Sequence, residues 1–502
     1  MQGRVSGASS VSVGLGSWPT ARQLIWAHGQ SPCGLPSLAR AERVRQVLLW
    51  TLALVLVVGL ASGCAHHPMK MDRARALMAE EDYEAAFAEV TKICKSEDDV
   101  LCLLERGLLL HYSGRYSESN EVLDRAEILI EDLYTRSLSR EAAAFLTSDL
   151  ARAYVPRPFE QVLINYFRAL NYVFLGLDDD ALVECRKASA KLARYSEDEK
   201  RPYRQDAFLE YLTGLLYEWG GDANSAFISY RNARAAYAAY GEAFGLGAPR
   251  DLDCDLVRTA EALGFESELD SALLKEYGHC ASETAKIVVI VEQGFVPATE
   301  EISLNVPIFR SEADHAHDDP FDFSLGIGSR MYGGYYDASD VAYFLRIAVP
   351  VYPETAPGLR PPEIHVDSLV VAPSEAEDVS AIARAELEAD MPVIFARTLA
   401  RAIIKYKASD AAGHKWGDLL GKLVNFLTAA TEQADLRAWL SLPRSIYVAT
   451  IYTEPGPHTV AIGAPVWSAA GRGPDGTETA GFQEVQVDAR AGATSFVRFR
   501  RY

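Results

Sequence analysis

Catalytic signatures are what this 502-residue chain lacks. No GxSxG, HExxH or CxxC spacing occurs, and no spacing of cysteine with histidine suggests a metal site. A nucleophile-elbow hydrolase, a zincin and a zinc ribbon are therefore poor readings, and the sequence leans toward a protein without an enzymatic activity or cofactor of its own. Positive charge is also short: 49 Lys and Arg face 69 Asp and Glu, a net charge of −20. That balance disfavours nucleic acid, and anionic lipid headgroups, as partners of the chain as a whole. Cysteine occurs seven times, and long apolar runs are scarcer still, since only one stands out. With 49% hydrophobic residues the chain is nevertheless globular and not disordered.

The one long run is VLLWTLALVLVVGLASGC, residues 47–64. It follows Arg40, Arg43 and Arg45, holds about fifteen apolar residues, and ends in small residues before Cys64. This is a signal-peptide h-region, too short to span a bilayer comfortably. The Leu60-Ala61-Ser62-Gly63-Cys64 stretch resembles the lipobox of bacterial lipoproteins, with Ala61 where that family more often has Leu. The resemblance implies cleavage before Cys64, a diacylated (palmitate-type) sulfur and a membrane anchor of two or three chains, which holds stably where one chain does not. Residues 1–63 are then leader, of which 1–46 read as a start assigned too far upstream, and 64–70 are a lipidated tether that includes His66 and His67. The leader's five Arg and one Glu leave −24 on the remainder. Ala65 after the cysteine favours the periplasmic face of the outer membrane over the inner membrane.

Residues 71–278 repeat. Anchored on Glu81, Gly114, Gly176 and Gly221, four units align. Seven residues earlier stand Ala74, Gly107, Ala169 and Gly214, and five later stand Ala86, Ser119, Ala181 and Ala226. Small residues at these points let two antiparallel helices approach closely, and glycine suits the turn. The pattern resembles the tetratricopeptide repeat, whose period is about 34 residues. The first spacing here is 33, while the next two, 62 and 45, interrupt the array. The resemblance implies a mainly α N-terminal half, a solenoid of the tetratricopeptide type. Apolar spacing over 138–154, stopped by Pro156 and Pro158, predicts one extra amphipathic helix inside the long gap.

In that family ligands lie in the concave groove formed by the first helix of each repeat. Carried over, the groove positions include Leu104, Leu108 and His111, then Tyr166 and Leu170, then Tyr211, Leu215 and Glu218. An open groove so apolar would exceed the roughly few hundred Å² that a soluble surface tolerates. Its expected cover is the chain's own inserted helix or C-terminal half, with an envelope protein or lipid-like ligand as the other occupant.

Residues 285–502 read as α+β. Buried strands are expected at 286–291 and 341–351, a third, alternating one at 363–371, loops over 311–340, a helix over 380–407 broken at Pro392, and a helix at 419–430. Strands at 446–453, 458–463, 482–489 and 495–500, divided by Gly and Pro turns, predict a small antiparallel sheet or sandwich at the end. Five cysteines remain after Cys64. Cys254 and Cys280 flank a predicted helical hairpin and are in place to bridge; pairing among Cys94, Cys102, Cys185, Cys254 and Cys280 is otherwise open, with at least one thiol left over.

The order of parts, with PVIFARTLARAIIKYK (392–407), ADLRAWLSLP (434–443) and the strand-turn at 447–460, resembles a family of bacterial lipoproteins with tetratricopeptide-like repeats and a shared α+β C-terminal half. What this implies is a periplasm-facing, lipid-anchored adaptor that binds an envelope protein in envelope assembly or cell-wall maintenance. The alternative is an enzyme or metal-dependent factor with a site in the second half. Its candidates are His315 and His317 in an acidic stretch, better read as a solvated loop, and Asp435 with Arg437, better read as an ion pair at a helix end.

Overall fold

The computed structural model describes residues 67–502 except 95, 97, 145–152, 196–202, 204, 279, 281–284, 310–340, 354–358, 417–432 and 464–481. The leader, Cys64, Phe145, His315, His317 and the expected helix at 419–430 all lie outside the described residues. From Gly63 onward the chain is one compact unit. Among the described residues no helix is long and apolar enough to cross a membrane.

Four helix-turn-helix units come first: α1 (His67–Ala79) with α2 (Tyr83–Ile93), α3 (Val100–Tyr112) with α4 (Tyr116–Ala144), α5 (Pro158–Leu175) with α6 (Asp178–Tyr195), and α7 (Ala207–Trp219) with α8 (Ala223–Phe244). The expected turn residues all take positive φ: Glu81 at 61°, Gly114 at 74°, Gly176 at 75° and Gly221 at 83°. The small positions sit where paired helices touch. A Cβ on Gly214 would stand 2.4 Å from the Tyr230 ring, and one on Gly107 would stand 2.5 Å from Leu123. Asp82, Asp99, Asp206 and Asp222 each accept a backbone N–H at a helix start. The expected extra helix begins as a continuation of α4, which runs to Ala144 without a break at residue 138. A fifth pair follows, α9 (Arg250–Leu263) and the short α10 (Ser271–Tyr277), and the Cys254–Cys280 disulfide ties it. Cys94 and Cys102 form a second disulfide, and among the described residues Cys185 is the free thiol, buried so that its pKa is pushed up to about 12.

The remainder is mixed. Strands β1 (Ala285–Gln293), β2 (Glu300–Phe309), β3 (Val341–Val351), β4 (Ile364–Val366), β5 (Leu369–Val371) and β6 (Ser374–Asp378) precede helix α11 (Val379–Trp416). Strands β7 (Ser445–Thr453), β8 (Gly456–Gly463), β9 (Phe482–Ala489) and β10 (Thr494–Arg501) follow it. They form a sheet of order β10-β1-β7-β6, a second of order β5-β4-β8-β9, and a separate β2-β3 hairpin.

Three expectations need correction. The terminal sheet is not purely antiparallel, because β10 returns beside β1 and pairs with it in parallel, Val288 opposite Phe496. The alternating run at 363–371 is two three-residue strands folded on a turn at Asp367, whose φ is 53°. Pro392 does not break α11. Pro392 and Glu388 are both exposed, so water can serve the carbonyl that the missing N–H leaves free.

Alternation along the central sheet places it between two apolar layers. Val288, Ile290, Ile446 and Val448 join the core of the helical repeats. Ile287, Val289, Val291, Ala449 and Val497 join a second core with Ile364, Val460 and Ile462 of the outer sheet. Repeats, central sheet and outer sheet are therefore three stacked layers, and the helical half has no core separate from the strands.

Candidate functional site: the filled groove and its rim

The groove residues do not face solvent. Leu104, Leu108, His111, Leu170, Tyr211 and Leu215 are fully buried, Tyr166 is 2% exposed, and Glu218 is partly buried. What covers them is the chain's own C-terminal part, along the inner face of β1, β7 and β10 and the segment before β7.

Polar bonds fix that cover at defined points. The Tyr166 hydroxyl donates to Glu292 Oε1 on β1 at 3.0 Å. The Tyr211 hydroxyl donates to Asp255 Oδ2 at 2.8 Å and lies 3.2 Å from Thr450 Oγ1 on β7. Lys286 Nζ of β1 reaches Glu218 at 2.9 Å and Asp255 at 2.6 Å, and Arg258 also meets Glu218. Burial alone would raise the Glu218 carboxyl, but Lys286 and Arg258 outweigh it and hold the pKa at about 2. His111 is neutral: burial, then the Arg498 charge, lower its pKa well below the ordinary value, and its Nδ1 pairs with Asn171 Oδ1 at 2.6 Å.

The segment before β7 is held by two acids that the sequence reading missed. Glu105 on α3 accepts the backbone N–H groups of Leu440 (2.8 Å) and Ser441 (3.3 Å), and Glu160 on α5 accepts that of Trp439 (2.8 Å). Trp439 is fully buried, its ring edge-on to Phe167 at 5.9 Å. Burial raises Glu105 to about 7, and its hydrogen bonds to 440 and 441 only partly offset this. Strand β10 adds two arginines. Arg498 lies 5.0 Å from the Tyr112 ring centre, and Arg500 bonds the carbonyls of Glu292 (3.0 Å) and Gly294 (2.5 Å) while stacking on Tyr502. A lone Glu inside LCLLERGLLL was the readable signal for Glu105, and the SFVRFR alternation was the one for Arg498 and Arg500.

A cleft of about 300 Å³ opens where the start of α5, β3, α11 and residues 434–437 meet. Arg157, Arg397, Arg437, Asp390, Asp435 and Tyr154 supply its polar lining. Asp435 and Arg437 do form an ion pair, a two-point fork of 2.8 and 2.7 Å, in an irregular segment that follows residues outside those described. Among the described residues no group of three or more His, Cys, Asp or Glu is placed to hold a metal ion.

No family model matches the chain, and no curated protein matches it. Solved structures similar to it include MamA, at 15% identity over 41% of this chain and 91% of that one, with a TM-score of 0.27. Two forms of a putative kinesin light chain from Podosopora anserina, with nearly identical TPR-like repeats, are similar at 13% identity over 42% of this chain and 93% of theirs, with a TM-score of 0.28.

Proposed function

We propose that this chain is a lipid-anchored adaptor on the periplasmic face of a bacterial outer membrane, working without catalysis in envelope assembly or cell-wall maintenance. The anchor reading rests on the apolar run ending at Cys64. The adaptor reading is carried by one observation: the acids and tyrosines of the repeat groove are spent on bonds to the chain's own C-terminal strands and to the segment before β7. The repeats then act as a cradle that stiffens the β layers, and an envelope protein docks on the outside of the assembled body. Crosslinking the anchored protein in cell envelopes tests this, with one stoichiometric protein partner as the expected product. Tight binding of a divalent metal by the purified chain, with no such partner, would favour the other class.

That second reading, an enzyme or metal-dependent factor of the C-terminal part, has the cleft beside Asp435 and Arg437 in its favour. Against it, the fork between the two side chains satisfies both, as an ion pair does and a poised acid does not. The anchor has its own test. Cys64→Ser should abolish labelling by a fatty-acid probe and leave uncleaved precursor, and normal labelling would sink the lipoprotein reading.

A further inference from the structure

The cleft at the start of α5 holds a cation that no acid answers. Arg437 is occupied by its fork with Asp435. Arg157, the residue before Pro158, is placed differently. Among the described residues its guanidinium has one hydrogen-bond acceptor, the Tyr352 hydroxyl at 3.1 Å, and no carboxylate within ion-pair distance. The Tyr352 ring lies 5.7 Å from the same guanidinium, so this tyrosine holds the group in place without neutralising it.

The acid nearest to Arg157 in sequence is Glu160, in the first turn of α5. Both of its oxygens are occupied elsewhere. They accept the Tyr154 hydroxyl at 2.7 Å, the backbone N–H of Arg157 at 2.7 Å and that of Trp439 at 2.8 Å. A guanidinium carries several N–H donors in a planar fork, and the protein uses Arg157's for a single hydroxyl. A positioned cation is thus left on the wall of a cleft of about 300 Å³, which is at the small end of ligand-pocket volumes.

The rest of the wall selects the ligand. Among its described residues, three guanidiniums (Arg157, Arg397 and Arg437) stand against two carboxylates (Asp390 and Asp435), so one positive charge is in excess. A single negative charge neutralises that excess, whereas a phosphate dianion would be repelled by the two aspartates. The plane of a carboxylate also matches the guanidinium fork. Ala348, Pro350 and Ile394 make other parts of the wall apolar, which suits a short aliphatic stem behind the charge.

We propose that the cleft binds one organic carboxylate on a short apolar stem, and that Arg157 receives the carboxylate. Such a group occurs at the end of a peptide chain and on a free aliphatic acid. The site needs neither the anchor at Cys64 nor the adaptor role, so it stands or falls apart from them.

Isothermal titration calorimetry on the chain from Ala65 onward, which keeps the compact unit, is the experiment. The probes are N-acetyl-alanyl-alanine, the carboxamide of the same dipeptide, propionate and inorganic phosphate. The dipeptide should bind saturably at roughly millimolar concentration or below, and its carboxamide about tenfold more weakly or worse. Dipeptide binding tighter than that of propionate identifies a peptide end as the source, and equal binding identifies a free acid. Arg157→Gln should weaken binding about tenfold or more. Because that change also removes the bond to Tyr352, Val155→Glu is the second variant. Val155 lines the cleft and is 46% exposed, so a carboxylate there competes for Arg157 without opening the core. It should weaken binding likewise, at an unchanged melting temperature. Carboxamide or phosphate binding as tight as that of the carboxylates would overturn the proposal. So would a lack of saturation by about 10 mM, or titrations that neither variant alters.

Discussion

Glu105→Gln removes one ionisable group from the floor of the groove and leaves its volume almost unchanged. Burial raises this carboxyl from 4.5 to about 7. The native state thus keeps a proton that the unfolded chain has already released in that window. Stability from this group is fully present below about pH 4.5 and is lost as pH rises through about 7. A shift of that size corresponds to roughly 3 kcal/mol, of which about 2.5 falls between about pH 5 and about pH 8. Asp251, raised to about 6 mainly by burial, and Glu377, raised by burial and by Asp206, tilt the wild-type curve in the same direction. Subtracting the variant's curve isolates Glu105, because those acids are present in both proteins. Urea denaturation of the two proteins across this range should show their stability difference moving by about 2.5 kcal/mol in the variant's favour as pH rises. A difference that stays constant with pH would refute the reasoning, because an exposed Glu105 cannot lie beneath Leu440 and Ser441.

Lys286→Met removes one of the two cations that Glu218 and Asp255 share and leaves Arg258 as the other, so it should cost about 1–3 kcal/mol in the same denaturation assay. A loss within the noise would mean that the pair is solvated. Limited proteolysis should cut first within 278–284 or 311–340, where polar and Gly-rich residues dominate the sequence. Because strands and repeats share one core, the fragments should nevertheless elute together without denaturant. Fragments that separate freely would show that the two regions are independent domains.

Much of this fold was legible because it rests on local rules. The four turn residues were identified from small-residue spacing alone, and their left-handed backbone follows from the geometry of a helical hairpin. Strands β1, β3 and β7 to β10 were visible as apolar or alternating runs. Strands β2 and β6 were not: EEISLNVPIF and SEAED are polar at too many positions, and they become strands only because β3 and β7 offer them partners. The parallel return of β10 to β1 escaped for the same reason, being a contact across some two hundred residues with no local trace. Groove positions could be named, since apolar residues recur at helical spacing there. Which element fills the groove depends on Glu105, Glu160 and Arg500 meeting backbone atoms far along the chain, and no periodicity encodes that.

The central claim is that the C-terminal strands occupy the repeat groove, and a double-mutant cycle on Tyr166 and Glu292 measures it most directly. These residues are 126 apart in sequence and bonded hydroxyl to carboxylate at 3.0 Å. Denaturation of Tyr166→Phe, Glu292→Gln and the double variant should give a coupling energy of about 1 kcal/mol or more, as expected of a buried hydrogen bond to a charged acceptor. Additive effects, with coupling below about 0.3 kcal/mol, would place the two side chains apart and the groove open.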